Sequence, residues 1–326
     1  MSDAAASSAS TRPAASAGTA GTASRVAAVD CGTNSIRLLI ADLVDGSLDE
    51  VDRRMTIVRL GQGVDSTGAF APEALERVFK ASDDFAAAIR AAGVSRTRFV
   101  ATSAARDVSN RDQFFTGIAL RFGVEPEIIS GAEEAELTFT GATAGLAALH
   151  VPGPYLVADI GGGSTELVLG DVDGVIAAQS LDMGSVRMTE RHITSDPTTP
   201  DELAAITKDV DALLDSCAVP IREARALIGV AGTVTSVAAV ALRLPEYDRT
   251  AVHHARLTQA ELRAATTWLT NSTRAERSAV PSIHPGRVDV IGAGALILQR
   301  LFDRMTVNDV IVSEHDILDG VALSLG

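Results

Sequence analysis

The stretch Leu156-Val157-Ala158-Asp159-Ile160-Gly161-Gly162-Gly163-Ser164-Thr165-Glu166-Leu167-Val168-Leu169 decides the fold. An apolar run ends in an aspartate, a glycine-rich turn follows, and a second apolar run leaves it. That is a strand, a tight loop and a strand, most simply a hairpin. The same arrangement stands earlier, where Val26-Ala27-Ala28-Val29 runs into Asp30, then Cys31-Gly32-Thr33-Asn34-Ser35, then Ile36 to Ala41. An offset of 129 residues, Asp30 to Asp159, also aligns Gly32 with Gly161, Ser35 with Ser164, Leu38 with Leu167 and Asp42 with Asp171. One deletion brings Asp45-Gly46 onto Asp173-Gly174. A repeat at this spacing is two copies of one domain type, not a solenoid period.

Working outward, Val51 to Leu60 reads as a third strand. Pro72 opens a helix that Gly93 closes. Arg98 to Thr102 reads as a strand, Asp112 to Phe122 as a helix, and Glu127 to Ile129 as a strand. Ser130 and Glu133 match the S-x-x-E capping box, so a helix is expected from there to about His150. Ala226 to Ser236 is a third glycine turn, in which an apolar strand runs into Ala231-Gly232-Thr233 and a helix follows. In form it is an anion site at a helix start. Ser272 to Gly286 reads as a polar loop, Asp289 to Phe302 as an apolar helix, Ile311-Val312 as the last strand, and a final helix starts near Asp316. Residues 1–24, rich in Ala, Ser, Thr and Gly without an apolar core, read as a disordered tail rather than a signal peptide.

Composition narrows the chemistry. The 326 residues carry 28 Lys plus Arg against 42 Asp plus Glu, a formal charge of −14. Such a balance argues against nucleic-acid or membrane-surface binding, which needs a basic face. Lys80 and Lys208 are the only lysines, and neither completes a G-x-x-x-x-G-K-[ST] loop. Cys31 and Cys217 cannot build a disulfide framework. No stretch is long and apolar enough to span a membrane, and a cytoplasmic protein is expected.

Two facing glycine hairpins line a cleft with N–H donors, which bind anions. Carboxylates there repel phosphate, yet they can hold Mg²⁺ that bridges to phosphate oxygens. Asp159 and Glu166, across the hairpin tip from one another, suit that role. The alternative for either loop alone is an ordinary turn.

Three segments, V-A-A-V-D-C-G-T-N-S-I-R-L, I-I-S-G-A-E-E-A-E-L and D-I-G-G-G-S-T-E-L, together resemble the exopolyphosphatase and guanosine pentaphosphate phosphohydrolase family. The resemblance runs from Arg25 onward. It implies an α/β fold of duplicated actin-like (ribonuclease H-like) ATPase domains with a cleft between them: domain I over 25–133 and domain II over 134–326, with the C-terminal helix from about 316 free to pack on domain I. It implies Mg²⁺-dependent removal of terminal phosphate from inorganic polyphosphate, or from a guanosine pentaphosphate-type nucleotide in the alternative reading. Glu134 takes the place of the family's catalytic base, Asp159 and Glu166 that of its Mg²⁺ residues. Thr33, Asn34, Ser35, Arg106, Gly162, Gly163, Ser164 and Thr165 take the places that bind phosphate.

Each position has a plainer reading. Glu134 at a helix start also offsets the helix dipole, and Arg106 could form a surface ion pair. Glu133 reads as a cap, Asp30 as a group behind the metal or a hairpin cap, Arg187 as a solvated arginine, Cys31 as a small loop residue. His315 is not expected to be a ligand. Other classes compatible with the superfamily are a polyphosphate or nucleotide sensor without turnover and an ATP-dependent sugar or acid kinase. A homodimer is left open. Longer family members carry an additional helical domain, so this chain resembles the short form, for which shorter polyphosphate is the expected preference.

Overall fold

The computed structural model describes residues 24–102, 105, 106 and 108–326. The expected tail lies outside them except for Ser24, which opens the first strand. In chain order the first half comprises β1 (Ser24–Cys31), β2 (Ser35–Val44), β3 (Ser47–Ile57), α1 (Val64–Thr67), α2 (Pro72–Ala91), β4 (Arg96–Ala101), α3 (Arg111–Phe122) and β5 (Glu127–Ile128). There follow α4 (Gly131–Thr143), β6 (Tyr155–Ile160), β7 (Thr165–Asp171), β8 (Gly174–Leu181), α5 (Ser185–His192), α6 (Pro200–Asp215), β9 (Ala226–Val230) and α7 (Ala231–Ala241). The chain ends with α8 (Arg249–Val252), β10 (Arg256–Thr258), α9 (Gln259–Asn271), α10 (Arg274–Ser278), α11 (Ile291–Phe302), β11 (Asp309–Val312) and α12 (Ile317–Leu323).

The strands form two sheets of one design. The first has the order β3-β2-β1-β4-β5 and the second β8-β7-β6-β9-β11, extended by β10 at its far edge. In each, three strands meander antiparallel and the next two run parallel to the first, while the edge strand β10 is antiparallel to β11. Strands buried on both faces read as continuous apolar runs, and β1 and β6 do so because helices cover both sides. On the first sheet α2 and α3 cover one face through Leu75, Val78, Phe85, Phe114 and Ile118. The other face is covered by α12 through Ile317, Leu318 and Val321. On the second sheet α4 covers one face through Ala135 and Phe139, and α7, α9 and α11 cover the other.

The two crossing segments, α4 and α12, lie against each other. A side chain at Gly141 would strike the Asp316 carbonyl, and one at Gly320 the Leu137 carbonyl. This contact sets Glu134 and Asp316 beside the ends of β1 and β6.

Local differences from the sequence reading have physical causes. The β2–β3 turn at Asp45-Gly46 has both residues at positive φ, the tight hairpin that Asp-Gly favours, so β3 starts four residues before Val51. The helix expected to reach His150 stops at Thr143, because Gly145 at φ +87 breaks it, and a 3₁₀ turn follows at Leu146–Leu149. The Ser130 hydroxyl caps α4 by accepting from the Glu133 N–H, but the Glu133 carboxylate turns to Arg98 at 2.7 Å instead of closing the box. Within the supposed loop 272–286, Thr273 and Glu276 form a full capping box for α10. Cys31 is the last residue of β1 and buried, not a loop residue.

Candidate active site

The ends of β1 and β6, the two hairpin turns and the start of α7 line a cavity of about 90 Å³. The hairpins are built alike: the Gly32 N–H donates to the Ser35 carbonyl at 2.9 Å, and the Gly161 N–H to the Ser164 carbonyl at 3.1 Å. Of the residues singled out in the sequence, the cavity wall contains Thr33, Asn34, Ser35, Glu134, Asp159, Gly162, Ser164 and Glu166, together with Asp30. Three others stand off it. Arg106 lies behind Glu134, paired with its carboxylate, with Nε donating to the Ile129 carbonyl at 3.3 Å. The Gly163 carbonyl is engaged by Arg187. The Thr165 hydroxyl donates to the Met183 carbonyl at 2.6 Å and is fully buried.

The wall carries four buried carboxylates, Asp30, Glu134, Asp159 and Glu166. Asp159 and Glu166 are direct cross-strand partners, and Glu166 accepts a hydrogen bond from the Ser180 hydroxyl at 2.7 Å. Burial, followed by the charge of Glu166, holds the Asp159 carboxyl well above its ordinary pKa. Burial and Glu166 likewise push Glu134 well up, against the pull of Arg106. Burial also raises Glu166, while its hydroxyl donors pull the other way. Asp30 is raised by burial too, although Arg37 donates to its Oδ2 at 2.9 Å from Nε and 2.6 Å from Nη2. The other oxygen, Asp30 Oδ1, is buried with no partner among the described residues.

Like-charged carboxylates this close are relieved by protons or by a cation. Among the described residues no three His, Cys, Asp or Glu side chains converge as a metal cage. Mg²⁺ does not need one: it takes one or two carboxylates and keeps water and substrate oxygens as its other ligands. The all-oxygen set of Asp159 and Glu166, with an orphaned Asp30 oxygen nearby, fits that ion.

Sequence reasoning passed over several wall residues. Arg37 interrupts an apolar run, yet it bridges Asp30 and Asp316. Arg287 also lines the cavity; its Nη1 donates to the Ser236 hydroxyl at 3.1 Å. Arg37 lies 279 residues from Asp316, and Arg287 lies 51 from Ser236, so nothing local announces either contact. Ala231, Gly232 and Thr233, the third glycine turn that the sequence did single out, also stand in the wall. Arg187 is no solvated arginine, since its Nε donates to the Gly163 carbonyl at 2.7 Å.

The sequence profile of the Ppx/GppA phosphatase family matches residues 39–325. The chain belongs to the Ppx/GppA phosphatase family. Within it, the chain is 48% identical to Exopolyphosphatase 2 of Mycobacterium tuberculosis, over 92% of this chain and 98% of that protein. It is 28% identical to a guanosine-5'-triphosphate,3'-diphosphate pyrophosphatase of Vibrio atlanticus, over 92% of this chain and 59% of that one. A crystal structure described as an exopolyphosphatase-like protein superposes with a TM-score of 0.90 at 44% identity, covering 93% of this chain and 98% of the other. As in other Ppx/GppA phosphatases, the fold is the duplicated actin-like α/β architecture, and its two sheets of common strand order carry that duplication.

Proposed function

We propose that this Ppx/GppA phosphatase is a Mg²⁺-dependent exopolyphosphatase that releases terminal orthophosphate from inorganic polyphosphate. The observation that carries this reading is one cleft holding two glycine-turn loops and four buried carboxylates, with basic side chains confined to arginine. Loop amides contact phosphoryl oxygens without adding formal charge, which reconciles a chain of net charge −14 with a polyanionic substrate. Phosphoryl transfer needs positioning and charge neutralisation more than covalent help.

Glu134 is the base. It orients the attacking water and takes its proton; burial and the charge of Glu166 raise its pKa above the ordinary carboxyl value, which makes it a stronger base than an exposed glutamate. Arg106 fixes that carboxylate from behind. Asp159 and Glu166 would hold Mg²⁺, which supplies neutralisation of phosphoryl charge when bound. Thr33, Asn34, Ser35, Gly162 and Ser164 line the place of the terminal phosphoryl group. Catalytic work is divided between a domain over 25–133 and a domain over 134–326, with the C-terminal helix returning to the first. No helix among the described residues is long and apolar enough to cross a membrane, in keeping with a cytoplasmic site of action.

A nucleotide substrate has one observation in its favour. A second pocket of about 320 Å³ adjoins the first through Arg37 and Arg287, and Met55, Tyr247, Pro281 and Pro285 give it apolar walls with room for a nucleoside. Phosphate release with MgCl₂ from polyphosphate, guanosine pentaphosphate and ATP in parallel tests both readings, with Glu134→Gln as the control. Release from polyphosphate that the variant loses supports the proposal. Preference for guanosine pentaphosphate transfers it to the nucleotide reading, and no release from any substrate defeats both.

A further inference from the structure

An amide can bind phosphate only if its peptide plane is turned the right way. In a trans peptide the carbonyl of one residue points opposite to the N–H of the next, so whatever holds the carbonyls of a loop also aims its N–H groups. In the second hairpin turn three consecutive carbonyls are held by one segment. Gly161 O accepts from the Ser185 N–H at 2.9 Å, and Gly162 O from the Val186 and Arg187 N–H groups at 2.8 and 3.0 Å. Gly163 O accepts from Arg187 Nε at 2.7 Å. The N–H groups of Gly162, Gly163 and Ser164 therefore face the other way, and among the described residues none of them has an acceptor.

The free N–H groups at the start of α5 are thus consumed by the loop. They act as a template for it, not as an anion site of their own. The contact is closed: a side chain at Gly184 would sit 2.4 Å from the Gly162 carbonyl. The first hairpin turn is held by the same device, with Thr33 O accepting from the Gly61 N–H at 2.8 Å and Asn34 O from the Val58 and Arg59 N–H groups at 2.9 Å. There, among the described residues, the donors to these two carbonyls are main-chain N–H groups, which almost any sequence supplies. In the second turn the last peptide, Gly163–Ser164, is held by a side chain. Arg187 does not line the cavity, so it acts through that peptide.

We propose that Arg187 is a positioning residue for the phosphoryl group: by holding the Gly163 carbonyl it aims the Ser164 N–H into the cavity. This rests on reading the cavity as a phosphoryl site. The test compares the unsubstituted protein with Arg187→Met, which removes the donors, and Arg187→Lys, which keeps one. Inorganic phosphate is titrated calorimetrically in MgCl₂, and kcat and KM are measured on polyphosphate. For Arg187→Met the phosphate Kd is expected to rise roughly tenfold and kcat/KM to fall about 10–100-fold, less than the loss of a direct oxyanion donor. The melting temperature should move by no more than about 2 °C, and Arg187→Lys should recover most of both losses.

A folded Arg187→Met protein with unchanged phosphate Kd and kcat/KM overturns the proposal. So does an Arg187→Lys protein as impaired as Arg187→Met, which would make bulk rather than the donor the relevant property. Arg187→Leu repeats the donor-free comparison if Arg187→Met does not fold. If polyphosphate proves not to be the substrate, kcat/KM is lost from all proteins alike, while the phosphate titration still decides the role of Arg187.

Discussion

The two hairpins share one design and differ in charge, one compensated and the other doubly negative. In the first, the strand-end aspartate Asp30 faces Arg37 across the β1–β2 ladder. In the second, Asp159 faces Glu166 across β6–β7. Position 37 and position 166 correspond under the same 129-residue offset that aligns the turns. The third strand follows suit, with Met55 beside Arg37 and Ser180 beside Glu166. One hairpin thus compensates its buried aspartate internally and ties it to Asp316 at the start of α12. The other stacks like charges and supplies a hydroxyl to orient one of them. The amide frame is common to both halves, and the demand for a cation belongs to the second.

Glu166→Gln breaks this asymmetry most directly. The variant keeps the shape of the side chain and removes one of two repelling charges. Phosphate release in MgCl₂ should fall by more than the ~10–100-fold that loss of a supporting residue at a metal site costs. Without divalent ions the same variant should melt higher than the unsubstituted protein, because buried like charges are relieved. A variant that retains activity would show that the second hairpin does not need its carboxylate pair.

Arg37→Met attacks the other side of the comparison. It strips the compensating charge from Asp30 and Asp316, both nearly fully buried. Removing one partner of a buried ion pair costs about 3–5 kcal/mol. Chemical denaturation should show a loss of that size. A loss under about 1 kcal/mol would mean that the first hairpin is not held by its arginine.

The pH dependence of stability distinguishes the hairpins more gently. Asp159, Glu134 and Glu166 all have raised pKa values, burial being the first cause in each. A raised acid holds its proton more tightly folded than unfolded. Their contribution is therefore fully present below the ordinary carboxyl pKa of about 4 and lost as pH rises through the raised values. Asp316, lowered by Arg37 and Arg53 against the cost of burial, has the opposite slope. Melting curves in EDTA from pH 4 upward, taken as the difference between the unsubstituted protein and Glu166→Gln, isolate the second hairpin. The unsubstituted protein should lose stability faster with rising pH, and saturating MgCl₂ should flatten the difference. Identical slopes would remove the electrostatic basis for a cation at Asp159 and Glu166.

How far the sequence foretold this follows from the range of each interaction. The apolar run, aspartate and glycine turn are local, so both hairpins and the strand-to-helix turn at Ala231 were legible from residue order. The capping hydroxyl of Ser130 was legible for the same reason. Glu133 was misread because its partner, Arg98, lies on β4, 35 residues earlier in the chain. Arg37 looked like an interruption because Asp316 is 279 residues away. Arg287 sits in a segment rich in Pro and Ser whose course nothing local dictates. The helix α10 had a readable signal, Thr273 with Glu276, that the surrounding polar residues obscured.

Ser180→Ala should have the smallest effect and sharpens the third-strand difference. The Ser180 hydroxyl donates to Glu166 Oε1, while the corresponding residue in the first half is Met55, which has nothing to donate. If the hydroxyl only fills space, alanine costs little and leaves the second hairpin as it was. If it orients Glu166, its removal leaves that carboxylate free to turn from Asp159, and divalent affinity falls up to ~10-fold, the lower end for a residue that supports a metal ligand. Stability in EDTA should drop by only about 1 kcal/mol, the net worth of one hydrogen bond. The MgCl₂ concentration for half-maximal phosphate release should therefore rise while kcat at saturating MgCl₂ returns close to that of the unsubstituted protein. An unchanged half-maximal concentration would reduce Ser180 to a strand residue and leave the Asp159–Glu166 pair as the electrostatic distinction of the second hairpin.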